Sequence, residues 1–312
     1  MIEKLEFLMA LAREQHFGRA AEACKVSQPA LSIGLKQLED LLGVLLVERG
    51  SRYRGLTPEG ERALQWARRI VGDARAMRDE IDELKHGVTG CLRLAAVPTA
   101  LPMTPMLTGP YRTRHPDVRF TILSRSAQQI ARMIENLEVD AGLTYLEDAP
   151  LRGINTVALY DEEYRLVTAP DSALADRRTV SWAEVAQVPL CLLTADTQNR
   201  HFIDGLLKDA AGEPKPTLES DSVTVLSAHV QTGKWASILP ACIADRLDLT
   251  DAVRAVPIVK PKASQPIGLI VADREPATPL VRALVAEARL IATTRRAATG
   301  AREAVMPTVA VS

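Results

Sequence analysis

The side chains that most often carry catalysis are scattered along this sequence. Its histidines occupy separate segments of the chain: His16, His86, His115, His201 and His229. The motifs GxSxG, HExxH, GxGxxG and the phosphate-binding P-loop do not occur in it. Neither a catalytic triad nor a metal cluster is indicated. We predict a protein that is not an enzyme, binds no metal ion and uses no cofactor.

The cysteines also indicate a protein without a metal site. Cys24, Cys91, Cys191 and Cys242 are far apart and form no CxxC pair, which argues against a zinc site and a disulfide framework. Separated thiols of this kind fit the reducing cytoplasm as small buried apolar residues. No stretch approaches the ~20 apolar residues that span a bilayer, and charged residues near Met1 interrupt any signal-peptide core. We expect a cytoplasmic protein without a membrane partner.

Basic residues are concentrated in one short stretch. The chain has a net charge of −1, yet residues 49–69 hold six arginines against two acids. Such a confined patch is suited to contact with nucleic-acid phosphates. A solvated helix face would carry the same charges, so the count alone leaves both interpretations open. The arginines are Arg49, Arg52, Arg54, Arg62, Arg68 and Arg69.

A second set of polar residues follows the predicted strands. From Cys91 onward, apolar strands alternate with amphipathic helices, which predicts parallel sheets covered by helices. In such folds ligands bind beyond the carboxyl ends of the strands, where helix N-termini supply N–H groups that favour a small anion. The residues at these turns are Thr99, Ala100, Ser126, Gln128, Thr144, Thr197, Gln198 and Asn199. Any single one could simply cap a helix, as Ser126 does in the capping-box pattern Ser126-x-x-Gln129.

The composition limits the ligand that such turns would hold. Aromatic residues make up 4% of the chain, and no pair of pocket arginines stands out. We expect a small carboxylate or another compact anion, such as formate or another short acid, rather than an aromatic diacid.

Three short helices precede the arginine-rich stretch. Apolar residues recur at helical spacing from Leu5 to Ala12 and again from Phe17 to Cys24. Ser27 can cap a third helix that carries a proline in its first turn, and its expected buried stripe is Leu31, Leu35, Leu38 and Leu42. Short helices joined by a tight turn, with small alanines where they cross, predict a helix-turn-helix. Periodicity alone would also allow an ordinary helical hairpin.

The residues of this region resemble those of a known family. The segments FGRAAEA (17–23) and VSQPALS (26–32) are followed in order by Leu38-Glu39, Leu42-Gly43, Leu46, Glu48-Arg49 and LTPEG (56–60). This ordered set is similar to the helix-turn-helix of LysR-type transcriptional regulators. The family architecture also matches the remaining length, so the resemblance covers nearly the whole chain.

The resemblance implies an α/β fold with an all-α N-terminal part. It implies a winged helix-turn-helix over 1–57, a linker and dimerisation helix over 58–86, a hinge over 87–90 and an effector-binding domain over 91–293. That domain would have two lobes, as in periplasmic binding proteins, with the effector in the cleft between them. Lobe I would cover about 91–159 and 266–293, and lobe II about 160–265, with crossings near Leu159 and Gln265. Residues 294–312, which show no convincing period, are expected to form a loose tail.

The resemblance also places a recognition helix at about 28–41 in the major groove of DNA. Gln28 can pair with adenine, while Ser32 and Lys36 suit base edges or phosphates. Arginines of a wing reach phosphates or the minor groove. The implied DNA-binding residues are Ser27, Gln28, Pro29, Ser32, Lys36, Arg49, Arg52 and Arg54. The sequence departs from the family at Ile33-Gly34, where polar residues are common, and this leaves the base-reading set open.

The long helix predicts the oligomer. Its apolar positions follow the 3-4 spacing of an antiparallel helix pair: Leu64, Ala67, Val71, Ala74, Met77 (or Arg78) and Ile81. Packing on its own domain is the alternative, although a helix of roughly 28 residues would be about 42 Å long. The expected partners are double-stranded DNA with dyad symmetry, a small-molecule effector, a second copy in a homodimer that forms a homotetramer, and RNA polymerase. Two rival interpretations are a periplasmic solute-binding protein and a DNA-binding protein that senses no ligand.

Overall fold

The computed structural model describes residues 1–48, 53–146, 153–213, 215–249 and 251–305. These residues form two compact units. The first comprises residues 1–89 with 132–138 and 274–280, and the second comprises the remainder. None of the helices in these ranges is long and apolar enough to cross a membrane.

The helices of the first unit begin where the sequence offers side-chain caps. They are α1 (Ile2–Glu14), α2 (Phe17–Ala23), α3 (Gln28–Leu42) and α4 (Pro58–His86). Ser27 Oγ accepts a hydrogen bond from the N–H of Ala30 at 3.3 Å and caps α3. Thr57 Oγ1 accepts from the N–H of Gly60 at 2.9 Å and caps α4. The predicted helix-turn-helix is therefore built from local signals that are visible in the sequence.

The core of the first unit confirms most of the predicted stripe on α3. Leu31 and Leu38 are fully buried, and they share a cluster with Leu8 and Leu11 of α1. The expected fourth member of the stripe is wrong: Leu42 is 45% exposed, because α3 ends there in a left-handed cap at Gly43.

Two glycines of the first unit mark close approaches of the backbone. A Cβ on Gly34 would lie 2.6 Å from Cδ2 of Phe7, so this residue belongs to the buried face of α3 rather than to a DNA-contacting face. A Cβ on Gly60 would lie 2.0 Å from the carbonyl oxygen of Leu46. Glycine is needed at both positions because it alone has no side chain.

The predicted dimer seam on α4 is wrong in its first half. Leu64, Ala67 and Val71 are buried within this single chain, and the latter two belong to the same cluster as α1. An apolar stripe shows that a helix face is covered without showing what covers it. The apolar side chains that α4 leaves exposed lie elsewhere: Trp66, Met77, Ile81 and Leu84.

The second unit alternates strands and helices, as predicted. The strands are β1 (Gly90–Ala96), β2 (Val118–Ser124), β3 (Ala141–Tyr145), β4 (Ile154–Thr168), β5 (Val180–Ser181), β6 (Cys191–Leu193), β7 (Leu218–Ser220), β8 (Ser237–Pro240), β9 (Arg254–Val259) and β10 (Ser264–Ala272). The remaining helices of the chain are α5 (Pro105–Arg114), α6 (Ala127–Glu135), α7 (Trp182–Val185), α8 (Gln198–Ala211), α9 (Val223–Val230), α10 (Ala241–Asp248) and α11 (Pro279–Val305), with a 3₁₀ turn at Leu101–Met103.

The strand order explains the two lobes. The larger sheet runs β2-β1-β3-β10-β4-β9-β5, with β8 also paired to β4, and β6 pairs with β7. β1 is parallel to β2 and β3, whereas β10 is antiparallel to β3 and β4. The sheet is therefore mixed at the point where the chain returns to lobe I.

β4 carries the chain from one lobe to the other. It pairs with β10 as far as Glu163 and with β8 and β9 from Tyr164 onward. The sequence alone predicts a separate strand at Tyr164–Ala169, and this segment supplies the second half of the longer β4. The change of partners lies four residues after the predicted crossing near Leu159, and β10 begins at Ser264, beside the predicted return at Gln265.

The predicted loose tail is wrong as far as Val305. α11 continues through Thr294 to that residue, whereas the sequence shows no clear period there. Alanine and arginine are strong helix formers, so propensity rather than an amphipathic pattern supports this last part of the helix. Residues 306–312 lie outside the described residues.

Candidate DNA-binding helix and buried polar cluster

α3 presents a polar edge on the side away from its buried leucines. Gln28, Ser32 and Lys36 are exposed and lie at i, i+4 and i+8, which places them on one face of the helix. Pro29 is exposed in the first turn, where its missing N–H leaves no hydrogen bond unmade. Such a face offers amide, hydroxyl and ammonium groups to a groove without disturbing the core.

The wing is anchored to the end of α3. Oε1 of Glu39 accepts hydrogen bonds from the N–H groups of Leu46 and Val47 at 2.8 and 3.2 Å. The N–H of Glu48 donates to the carbonyl of Gly55 at 3.1 Å, which closes the base of a hairpin. Arg54 is exposed beside that base. The other two predicted wing residues, Arg49 and Arg52, lie outside the described residues.

A cluster of buried polar side chains, here called the polar cluster, joins the two lobes of the second unit. Its members are Thr99, Tyr145, Glu162, Tyr164, Asn199 and Gln265. The hydroxyl of Tyr145 donates to Oε1 of Glu162 at 2.9 Å and lies 2.7 Å from Oγ1 of Thr99. Tyr145 thus links the turn after β1 to the middle of β4.

The lobe II side of the polar cluster is held by α8. Nδ2 of Asn199 donates to the hydroxyls of Tyr145 and Tyr164 at 3.3 and 3.4 Å. The Tyr164 hydroxyl also lies 3.3 Å from Oε1 of Glu162 and 2.8 Å from Oε1 of Gln265. The two strands that connect the lobes and the first turn of α8 therefore share one hydrogen-bond network.

Glu162 dominates the electrostatics of this network. Burial raises the pKa of its carboxyl to about 7, against hydrogen bonds from Tyr145 and Tyr164 that favour the charged form. Burial, together with the charge of Glu162, raises the pKa of both tyrosines above their ordinary value. Among the described residues, Glu162 forms no ion pair with a lysine or arginine. The cluster therefore carries a carboxyl that changes charge near neutral pH.

Four buried polar atoms that belong to the cluster or to residues near its members in sequence have no hydrogen-bond partner within the described part of the protein. They are Oε2 of Glu162, Oγ1 of Thr144, the hydroxyl of Tyr160 and Oε1 of Gln198. Leaving such an atom unpaired costs about 1–3 kcal/mol, and native structures rarely leave several together. Oε2 of Glu162, which belongs to the cluster itself, is the atom that a polar molecule bound at the cluster would satisfy.

The first turn of α8, which contains Asn199 of the polar cluster, supplies backbone donors. Thr197 caps the helix by accepting from the N–H of Arg200 at 3.3 Å. Arg200 is buried and pairs with Asp204 and Glu219 at 2.6 and 2.5 Å, which fixes the turn in place. The N–H groups of Gln198 and Asn199 precede the first intrahelical bonds, so they point along the positive end of the helix dipole.

The structure brings together only part of the predicted effector set. Thr99 and Asn199 belong to the polar cluster, and Gln198 and Thr144 carry unpaired buried atoms next to it in sequence. Thr197 acts as the cap of α8, and Ala100 is buried at the 3₁₀ turn. Ser126 bonds to Gln129 in a reciprocal capping box, and Gln128 is exposed; neither shows a hydrogen bond to the cluster.

Sequence reasoning missed four members of the cluster: Tyr145, Glu162, Tyr164 and Gln265. A signal for two of them was present. Glu162 and Tyr164 are two residues apart, which puts them on one face of a strand. This spacing was not used, because the sequence prediction began its strand at Tyr164, and Gln265 gave no local signal.

A helix-turn-helix with an exposed polar helix edge, followed by two α/β lobes around a buried polar network, defines a transcriptional regulator with its own sensing domain. The family model "LysR substrate binding domain" matches residues 85–290, and "Bacterial regulatory helix-turn-helix protein, lysR family" matches residues 2–61. The chain belongs to the LysR family of bacterial transcriptional regulators, and it is not an enzyme.

Individual relatives support the same assignment. The chain is 28% identical over 270 residues to "DNA-binding transcriptional dual regulator OxyR" of Escherichia coli (strain K12), covering 86% of this chain and 88% of the relative. A cysteine-to-aspartate variant of full-length OxyR from Pseudomonas aeruginosa superimposes with a TM-score of 0.73 at 26% identity, over 94% of this chain and 99% of that one. Full-length CbnR in complex with its target DNA shares the fold, with a TM-score of 0.60 at 23% identity over 94% and 100% of the two chains.

Proposed function

We propose that this LysR-family regulator binds promoter DNA of dyad symmetry through α3 of two protomers. The observation that carries this proposal is the exposed row of Gln28, Ser32 and Lys36 on a helix whose other face is buried. Two such helices related by a two-fold axis would read inverted half-sites. The protein would act in the cytoplasm, where it meets DNA and RNA polymerase.

The dimer would form through the exposed apolar residues of α4. Met77, Ile81 and Leu84 are 57%, 47% and 85% exposed, and their 4- and 3-residue spacing continues one helix face. A face of this kind on a helix of 29 residues favours pairing with a second copy. A homotetramer would then require a further contact between sensing domains. Light scattering at micromolar concentration tests the assembly, since a monomer would contradict it.

The sensing function would depend on a small polar molecule bound at the polar cluster, between the lobes. The buried Oε2 of Glu162, which has no hydrogen-bond partner in the described part of the chain, supports this location, and Gln198 beside Asn199 carries a second such atom. A small carboxylate would suit the N–H groups at the start of α8. Because binding can shift DNA affinity only through a differential affinity for two conformations, the effector should favour one arrangement of the lobes.

Thermal unfolding combined with DNA binding tests the sensing function. Small carboxylates that bind should raise the melting temperature of the protein and change its affinity for a bound promoter fragment. A protein that binds DNA but shows no shift with any small polar molecule would be a regulator that senses no ligand.

Peroxide sensing is a second candidate function, because similar curated proteins are named hydrogen peroxide-inducible genes activators. Three of the four cysteines are poorly suited to it, which leaves the partly exposed Cys91 as the thiol that would have to react. Reaction with peroxide requires a thiolate, and burial raises the pKa of Cys24, Cys191 and Cys242, the last to about 12. We expect DNA binding to be unchanged by low hydrogen peroxide. A peroxide-dependent change that is lost on replacing one cysteine by serine would favour the second candidate.

A further inference from the structure

The polar cluster offers two ends of opposite electrostatic character, and these restrict what the proposed effector site can bind. One end is the carboxylate of Glu162, which is 2% exposed and whose Oε2 has no hydrogen-bond partner among the residues that the structure describes. The other end is the first turn of α8, where N–H groups and the helix dipole favour negative charge. An anionic ligand would be attracted to the helix turn and repelled by Glu162, and a cationic ligand would be attracted to Glu162 and repelled by the helix turn.

The two ends are close together. Oε1 of Glu162 lies 2.9 Å from the hydroxyl of Tyr145, and that hydroxyl lies 3.3 Å from Nδ2 of Asn199 in the first turn of α8. No more than about 6 Å therefore separates the carboxylate from the side-chain amide of the helix turn. Because a single tyrosine hydroxyl bridges the two ends, a ligand that contacts both would be small, with its donor and its carboxylate on the same or neighbouring carbon atoms.

A simple carboxylate fits less well. Glu162 has no ion-pair partner among the described residues, so a second carboxylate would bring two negative charges into a buried site. Like charges in such a site force one of them to take up a proton. A ligand that presents an ammonium or hydroxyl donor to Oε2 instead completes the hydrogen bonding of Glu162.

We propose that the effector is a small amino acid or hydroxy acid, whose carboxylate binds at the N-terminus of α8 and whose ammonium or hydroxyl group donates to Glu162. Glu162 would thereby be the residue that determines which carboxylates bind. This inference rests on the proposed effector site at the polar cluster.

Calorimetry with matched three-carbon probes tests the inference: L-alanine, L-lactate, propionate and lactamide. Propionate lacks the donor, and lactamide lacks the carboxylate. We expect L-alanine or L-lactate to bind roughly 10- to 100-fold more tightly than both, the range expected for a hydrogen bond to a charged group. Propionate or lactamide that binds as tightly as the better of the other two would overturn the inference.

The variant Glu162→Gln should remove most of the preference for L-alanine over propionate, because it deletes the charge at nearly constant shape. Glu163→Gln is the matched control. Glu163 is the next residue but pairs with Lys262 and Arg165 rather than with the cluster, so its replacement should leave the preference unchanged. A preference that survives in Glu162→Gln would contradict the inference.

Proton exchange on binding provides a measurement that does not depend on a variant. The titratable groups around Glu162 are Tyr145, Tyr160 and Tyr164 on the strands and Cys242 on α10; burial raises the pKa of each above its ordinary value. The fixed charges near this region are Arg246 on α10 and Arg295 on α11, which both act on Cys242. Glu162 is thus the group of this set whose charge changes near pH 7.

At pH 7, L-alanine should release protons, because its ammonium group favours ionised Glu162, whereas propionate should take protons up. Binding enthalpies in two buffers of different ionisation heat give these counts. Equal proton counts for the two probes would overturn the inference. If no probe of either class binds, the inference is also overturned, and DNA binding by the same preparation then shows whether the regulator assignment stands without it.

Discussion

Replacing Glu162 by glutamine should change how the stability of the sensing domain depends on pH. Burial raises the pKa of this carboxyl from 4.5 to about 7. One pKa unit corresponds to about 1.36 kcal/mol, so raising the pKa from 4.5 to about 7 corresponds to about 3 kcal/mol. The carboxyl is almost completely buried, so solvent screening reduces this figure little.

The sign follows from proton linkage. The folded protein holds the proton of Glu162 more tightly than the unfolded chain does, so stability rises as protons are added. The contribution is fully present below about pH 4.5 and is lost as the pH rises through about 7. Relative to Glu162→Gln, the wild-type protein should therefore lose about 3 kcal/mol between pH 4.5 and pH 8.

Urea unfolding at a series of pH values measures this effect. Tryptophan fluorescence is a suitable signal, since Trp182 is buried with its ring centroid 6.4 Å from that of Tyr164. Glu163→Gln is again the control, and the stability change that it removes should depend on pH in the opposite direction. The hydrogen bond from Lys262 lowers the pKa of Glu163, so the contribution of Glu163 to stability is lost as the pH falls. A stability difference between wild type and Glu162→Gln that is constant with pH would refute the reasoning.

Three further predictions concern the DNA-binding unit. Gly60→Ala should destabilise it by about 1–3 kcal/mol, because the new Cβ would lie 2.0 Å from a backbone carbonyl oxygen. The control Gly109→Ala, whose Cβ meets nothing within 4 Å, should not destabilise the protein. Equal unfolding midpoints for the two variants would contradict this prediction. Gln28→Ala should weaken DNA binding by about 1–3 kcal/mol of binding free energy at particular base pairs. Arg54→Ala should weaken binding to all sequences and lower the slope of log affinity against log salt concentration by about 1. An equal loss of affinity for all sequences in Gln28→Ala would show that Gln28 does not read bases. Ile81→Asp should shift the dimer towards monomer in light scattering, and an unchanged dimer would mean that the exposed face of α4 is not the interface.

The helix-turn-helix could be predicted from the sequence because its determinants are local. Ser27 caps α3, and Leu31 and Leu38 form a periodic stripe that is buried as expected. The dimer seam could not be predicted in the same way. Val71 is apolar because α4 packs on the chain's own α1, and a pattern of apolar residues does not say which surface covers it.

Most of the polar cluster could not be predicted from the sequence, and the reason is physical. Glu162 stands between two other acids, Asp161 and Glu163, and the residues that contact it, Tyr145 and its strand partner Gln265, come from distant parts of the chain. Thr99 and Asn199 could be predicted because each follows a strand. Ser126 and Gln128 follow a strand as well, but they complete or flank the cap of α6 instead.

Selection of binding sequences from a random DNA duplex library tests the central claim most directly. The account predicts that sequencing of the bound fraction at physiological salt yields one motif with two inverted half-sites, because a two-fold dimer presents two copies of α3. Enrichment of no motif, or of a single half-site without its inverted partner, would contradict the account.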